Sequence, residues 1–159
     1  MSQLDRFDRK LLNCVQRDAG LTSEELAEAV GLSASAIQRR LKRLRRDGII
    51  TAIQAVADPA KVGRPIFFVV GLEIERERPE LLSRLRTWLT GEDAVQEVFY
   101  VTGAADFILV IAARDITAYD ALMARLIADN PNVRRFTTNV ALGIYKRSLF
   151  LPVDDDPPA

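Results

Sequence analysis

From Ser33 to Gly48 the chain reads SASAIQRRLKRLRRDG. Arg39, Arg40, Lys42, Arg43, Arg45 and Arg46 crowd together there, with no acid before Asp47. Guanidinium and ammonium groups at this density suit one role above others, the neutralisation of a polyanion such as a phosphate backbone. Ser33, Ser35 and Gln38 stand at the amino end of the same stretch. Short polar side chains of this kind can reach base edges in a groove while cations meet phosphates on its walls. Net charge does not explain the cluster. The chain has 22 basic and 22 acidic side chains, and residues 1–60 hold 10 Lys and Arg against 8 Asp and Glu. The signal is local.

Other chemistries are poorly supplied. There is no His, which removes the commonest general base and metal ligand. Cys14 is the single cysteine, so no internal disulfide forms, and its apolar neighbours make it a structural thiol. Glu92, Asp93 and Glu97 read as a solvated loop and strand edge, and Asp154 to Asp156 lie in a tail. These features predict no enzyme, no metal site and no cofactor. The charged N-terminus lacks a signal-peptide core, and the apolar run Phe107–Ala113 is too short to span a bilayer. A soluble cytoplasmic protein without membrane contact is expected.

The elements that must carry the cations follow from periodicity. Phe7, Leu11, Leu12 and Val15 recur at helical spacing, and Gly20 closes that helix. Thr22-Ser-Glu-Glu25 is a capping-box pattern that starts a second helix, stopped by Gly31. Ser33 is a good N-cap for a third, whose inward side is Ile37, Leu41 and Leu44. At about 100° per residue, Ser35, Gln38, Arg39, Lys42 and Arg46 form an outward stripe, flanked by Arg40 and Arg43, with Arg45 nearer the core. Like charges at i, i+4 repel, so this face without a compensating acid predicts an anionic partner. Double-stranded DNA fits better than RNA, since no aromatic stacking platform is present. Two helices joined across VGLS have helix-turn-helix length, and the alternating IITAIQAVA after them reads as a wing strand.

The rest of the chain alternates strand and helix in the order βαββαβ, a ferredoxin-like pattern. The fold class is therefore α+β. Residues 1–57 form a winged helix-turn-helix, 58–65 a hinge, 66–151 the ferredoxin-like domain and 152–159 a disordered acidic tail. The strand from Ile66 is apolar on both sides, and so is that from Phe107, whereas two helices cover only one sheet face. A second copy is the simplest cover for the other, which predicts a homodimer.

LDRFDRKLL, LAEAVGLSASAIQRRLKRLRRDGII, VTGAADFILVI and ADNPNVRRFTT together resemble the Lrp/AsnC family of transcription regulators, over nearly everything but the tail. This resemblance implies a winged helix-turn-helix on DNA and a ligand domain that dimerises sheet to sheet. It also implies further assembly to tetramers or octamers, and an amino acid or related metabolite that alters assembly or DNA affinity. By position it implies a ligand site at Thr102, Gly103, Asp106 and Phe107, joined by Thr137, Thr138 and Asn139. The residue types allow this: Gly103 permits a tight bend, Asp106 could hold an ammonium group, and the Thr hydroxyls could donate to a carboxylate. A plain hairpin turn with a capping Asp would use the same residues. Ala104 and Ala105 stand where relatives often carry an acidic or aromatic residue, and Ala34 and Ala36 where Pro often occurs. The alanines of the turn keep a second function open, an effector-independent architectural oligomer on DNA.

Overall fold

The computed structural model describes residues 4–154. They divide into two compact units. One runs up to Ala55 and resumes at Lys146, and the other is Val56–Tyr145.

The first unit holds α1 (Arg6–Arg17), α2 (Ser23–Val30) and α3 (Ala34–Arg46). Each begins where a side chain satisfies orphan backbone N–H groups. Asp5 and Asp8 form a reciprocal capping box on α1, Thr22 and Glu25 another on α2, and Ser33 caps α3. The Thr22 backbone N–H holds the Glu25 carboxyl below the ordinary carboxylate value. Gly31 ends α2 at φ 82°, a left-handed conformation that a side chain would oppose. Leu11, Leu12, Leu26, Val30, Ile37 and Leu44 close the core between the three helices.

The expected wing strand is absent, since residues 51–58 form no strand. Behind Gly48 the N–H groups of Ile49 and Ile50 turn back to the Leu44 carbonyl, at 2.9 and 3.1 Å, and finish α3 instead of entering a ladder. Residues 51–57 are exposed. Their β-branched side chains favour a strand only where a neighbouring strand offers hydrogen bonds.

The tail expected to be disordered from residue 152 is also corrected for its described part. Leu151 and Val153 are hydrogen-bonded to α1, so residues 146–154 belong with the first unit rather than the first of them with the ferredoxin-like domain. Residues 155–159 lie outside the described residues.

The second unit contains β1 (Ile66–Ile74), α4 (Pro79–Gly91), β2 (Val95–Tyr100), β3 (Phe107–Ala113), α5 (Ile116–Asp129) and β4 (Val133–Val140). The strands make one antiparallel sheet in the order β2-β3-β1-β4. Alternation sends Phe68, Val70 and Leu72 of β1, with Leu109 and Ile111 of β3, toward Leu85 and Leu89 of α4 and Leu122, Met123 and Leu126 of α5. Ile127 of α5 is exposed. Phe68 stacks on Tyr119, ring centroids 3.9 Å apart, and the Tyr119 hydroxyl bonds that of Thr138. Burial pushes the Tyr119 phenol up from its ordinary value, against the opposing pull of the Thr138 hydrogen bond. Tyr119→Phe keeps the stack and loses the bond. It is expected to lower the stability of this unit by about 1 kcal/mol, read as a denaturant midpoint shift at unchanged slope.

The opposite face carries Phe67, Val69, Gly71, Ile108, Val110 and Ala112, with neither helix of this unit upon it. Val69 and, on β2, Phe99 are exposed there.

Candidate nucleic-acid interface and ligand turn

Helix α3 sorts its cations by what lies beside them. Ser33, Ser35, Gln38, Arg39, Lys42, Arg45 and Arg46 are exposed, and Ile37 and Leu44 are buried. The Ser33 hydroxyl is engaged as the helix cap, accepting from the Ala36 N–H at 3.3 Å, and lies 3.2 Å from that of Ser35. Arg40 and Arg43 are different. Arg40 Nη1 donates to Asp5 Oδ2 and Asp8 Oδ1, both at 2.7 Å, and Arg43 Nη2 sits 2.5 Å from Asp8 Oδ2. Asp8 itself is fully buried. The expectation that no acid compensates this side of α3 is thus overturned. The acids come from the capping box of α1, more than thirty residues earlier in the chain.

Electrostatics follow the geometry. Burial pushes the Asp5 carboxyl up, but the Asp8 backbone N–H and the Arg40 guanidinium outweigh it and hold Asp5 below the ordinary carboxylate value. The hydrogen bond to Asp5 in turn raises Arg40. Arg46 pairs with its neighbour Asp47, Nε to Oδ1 at 2.9 Å, in an exposed and therefore weak contact. Arg39, Lys42 and Arg45 have no carboxylate partner among the described residues. They recur every three residues, which places them along one side of the helix. Angular reckoning puts Arg45 nearer the core, but the structure exposes it. The row left open to a polyanion is thus Arg39, Lys42 and Arg45, with Ser35 and Gln38 at its amino end.

The turn between β2 and β3 brings only some of the expected ligand residues together. Thr102 and Gly103 are exposed, and Gly103 takes φ 130°, a conformation open to glycine. Asp106 is occupied within the fold. Its Oδ2 accepts from the Ile74 N–H at 2.7 Å, while its own N–H donates to the Leu72 carbonyl at 2.8 Å. It thereby fastens the turn to the end of β1. Phe107 is buried and faces the helices, its ring 5.0 Å from that of Tyr100. Strand alternation splits the β4 trio. Thr138 pairs with Val70 on the helix side, while Thr137 and Asn139 pair with Gly71 and Val69 on the open face. Asn139 Nδ2 donates to the Val69 carbonyl at 3.4 Å.

The residue that joins turn and strand is Gly71. A Cβ there would lie 3.0 Å from the Thr137 hydroxyl and 3.2 Å from the Ala105 methyl. The missing side chain is what lets the turn and β4 approach one another over β1. A lone glycine in the middle of an apolar strand was the available signal. Among the described residues no group of three or more His, Cys, Asp or Glu could hold a metal ion, and no helix is long and apolar enough to cross a membrane.

Comparison with known proteins agrees with both units. A family model described as winged helix-turn-helix DNA-binding matches residues 4–51, and one described as the Lrp/AsnC ligand binding domain matches residues 68–149. An uncharacterized HTH-type transcriptional regulator of Sinorhizobium fredii is 41% identical over 152 residues, covering 96% of this chain and 90% of the relative. The crystal structure of an AsnC family regulator from Agrobacterium tumefaciens superposes with a TM-score of 0.88 at 32% identity, over 94% of this chain and 97% of that one. A transcriptional regulator of Neisseria meningitidis, solved as its L-Met complex, gives a TM-score of 0.88 at 26% identity over 96% of this chain and 98% of its own. The chain belongs to the Lrp/AsnC family of DNA-binding transcriptional regulators.

Proposed function

We propose that this regulator grips duplex DNA with the outer row of α3 and that an amino acid or related metabolite, bound over Gly71, sets its assembly or its affinity for DNA. The observation that carries the first half is the sorting of charge on α3. Where cations need only be neutralised internally, Asp5 and Asp8 do it; Arg39, Lys42 and Arg45 are left to an external partner. Base-edge contact belongs to Ser35 and Gln38, near the helix start.

The ligand half uses Thr102 and Gly103 of the turn, with Thr137 and Asn139 of β4. Asp106, Phe107 and Thr138 support that site from behind. A likeness to the L-Met complex supports an amino acid as the class of ligand. Calorimetry against the twenty amino acids is expected to find one that binds. Gly71→Ala is then expected to weaken that ligand at least tenfold, because the added methyl presses on Thr137 and Ala105. The crowding costs about 1–3 kcal/mol, so the sheet still folds. Unchanged affinity in the variant would move the site elsewhere.

The working unit is a homodimer, and assembly to a tetramer or octamer is part of the same reading. Val69, Ile108 and Val110 form an apolar field on the open sheet face, beside Phe67, which is already buried within the chain. Fully covering a large apolar side chain is worth about 1.5–3 kcal/mol, so a second copy has ample drive to settle there. The protein acts in the cytoplasm, on genomic DNA.

One observation favours a second reading. Ala104 and Ala105 give the turn no polar side chain at its middle. An architectural oligomer that binds DNA without an effector would show no heat with any amino acid and no change of size.

A further inference from the structure

The last described residues are read by the first helix as a peptide. Asn13 uses both ends of its amide on Val153. Nδ2 donates to the Val153 carbonyl at 2.8 Å, and the Val153 N–H donates to Oδ1 at 3.0 Å. Gln16 treats Leu151 in the same way, at 2.9 Å in each direction. The two amides stand three residues apart on one face of α1, and their partners stand two apart on one side of an extended segment. Spacing on helix and peptide therefore match, and the register is fixed at two points. Beyond them Arg9 Nη1 donates to the Asp154 carbonyl at 3.0 Å, and the Arg17 guanidinium lies 4.5 Å from the centre of the Phe150 ring. Val153 packs against the helical core. A merely solvated tail has no use for side-chain amides that imitate a neighbouring strand.

We propose that Phe150–Asp154 is a clasp for the DNA-binding unit, and that α1 carries a built docking face for this segment of its own chain. The clasp grips α1 through Asn13 and Gln16. The same helix grips α3 through Asp5 and Asp8, which hold Arg40 and Arg43. Occupancy of the clasp thus fixes α1 and, one contact further, the helix that faces DNA. The clasp residues act on DNA only through α1, so they are positioning residues. The inference rests on the reading of α3 as the DNA-contacting surface.

The test compares the full chain with a chain ending at Leu149, a chain ending at Asp154, and the Asn13→Ala/Gln16→Ala double variant. Loss of Phe150–Asp154 is expected to weaken duplex binding at least tenfold and to speed amide exchange in α1 at least tenfold. The chain ending at Asp154 should match the full chain in both. The double variant should move both readouts in the direction of the truncation, and it decides the matter if the Leu149 chain does not fold. Unchanged exchange and affinity in the double variant would overturn the clasp. So would tighter DNA binding by the Leu149 chain, which would make the tail an acidic competitor for phosphate-binding cations. A failed DNA reading is distinguishable, because the full chain would then bind no duplex while α1 exchange still reports on the clasp.

Discussion

An Asp8→Ala chain is expected to lose about 3 kcal/mol from its helical unit, with the Val56–Tyr145 unit unaffected. Asp8 is fully buried and serves three partners: the Asp5 N–H at 3.1 Å, Arg40 at 2.7 Å and Arg43 at 2.5 Å. Removing one member of such a group leaves buried charge uncompensated, at a cost of about 3–5 kcal/mol. The low end applies because Arg40 and Arg43 keep partial access to water. Against the ~5–15 kcal/mol that holds a typical domain, that is a large fraction. Calorimetry on the full chain should show one transition moved down and the other in place, with DNA binding lost near the lowered midpoint. Replacing the whole group by apolar residues, Asp8→Leu with Arg40→Met and Arg43→Leu, is expected to restore stability, since no charge is then stranded. Acid should act in the same direction as Asp8→Ala. Asp5 is depressed in the folded state, so its contribution is present above its unfolded pKa and disappears as pH falls through the lower folded value. A wild-type midpoint for Asp8→Ala would mean that Arg40 and Arg43 are solvated and free to meet phosphate.

That network also marks how far local sequence patterns reach. Capping boxes, helix faces and the βαββαβ order are local patterns, and local patterns survive transfer into the fold. The box at Thr22 is spelled by consecutive residues and forms as written. Asp5 and Asp8 are equally local as a cap, but their second role spans 35 and 32 residues to Arg40. No spacing rule links them, so α3 read alone lacks its compensating acids. The clasp has the same character, joining Asn13 to Val153, 140 positions later in the chain. The composition from Pro152 onward, rich in Asp and Pro, predicts disorder, and the contacts of Val153 and Asp154 with α1 override that for the described part. The strand expected over Ile49–Ala57 did not form for the opposite reason. Ile49–Ala57 has strand composition, but a strand is a property of two segments, and Gly48 turned the first N–H groups back onto α3. At the ligand turn, alternation alone could have separated Thr137 from Thr138, since adjacent strand residues face opposite ways. Gly71 was visible as an odd residue in β1, and its meaning required knowing that Ala105 and Thr137 flank it.

Arg39→Ala/Lys42→Ala should leave the helical unit folded and still disable it on DNA. Both side chains are exposed and neither has a carboxylate partner among the described residues, so nothing internal is broken by their removal. Surface changes of this kind usually shift stability by less than ~0.5 kcal/mol. On DNA the two differ sharply from Arg40. Each phosphate neutralised releases counterions and steepens the salt dependence by ~0.9 in log affinity per log salt. Losing two such contacts per copy should flatten the slope by about 1.8 and, near ~0.15 M salt, weaken binding about thirtyfold for each copy on the site. The loss should be similar on cognate and random duplex, because phosphate contacts carry no sequence information. Gln38→Ala makes the complementary case. It removes a side chain able to pair with an adenine edge, so it should reduce discrimination by ~1–3 kcal/mol at one position with the salt slope unchanged. Titrations of these variants across a salt series therefore separate three roles on one helix: cations that meet the backbone, a polar side chain that reads a base, and arginines that belong to the fold. A double variant whose salt slope equals that of the parent chain would place the DNA contact on some other surface, whatever its affinity.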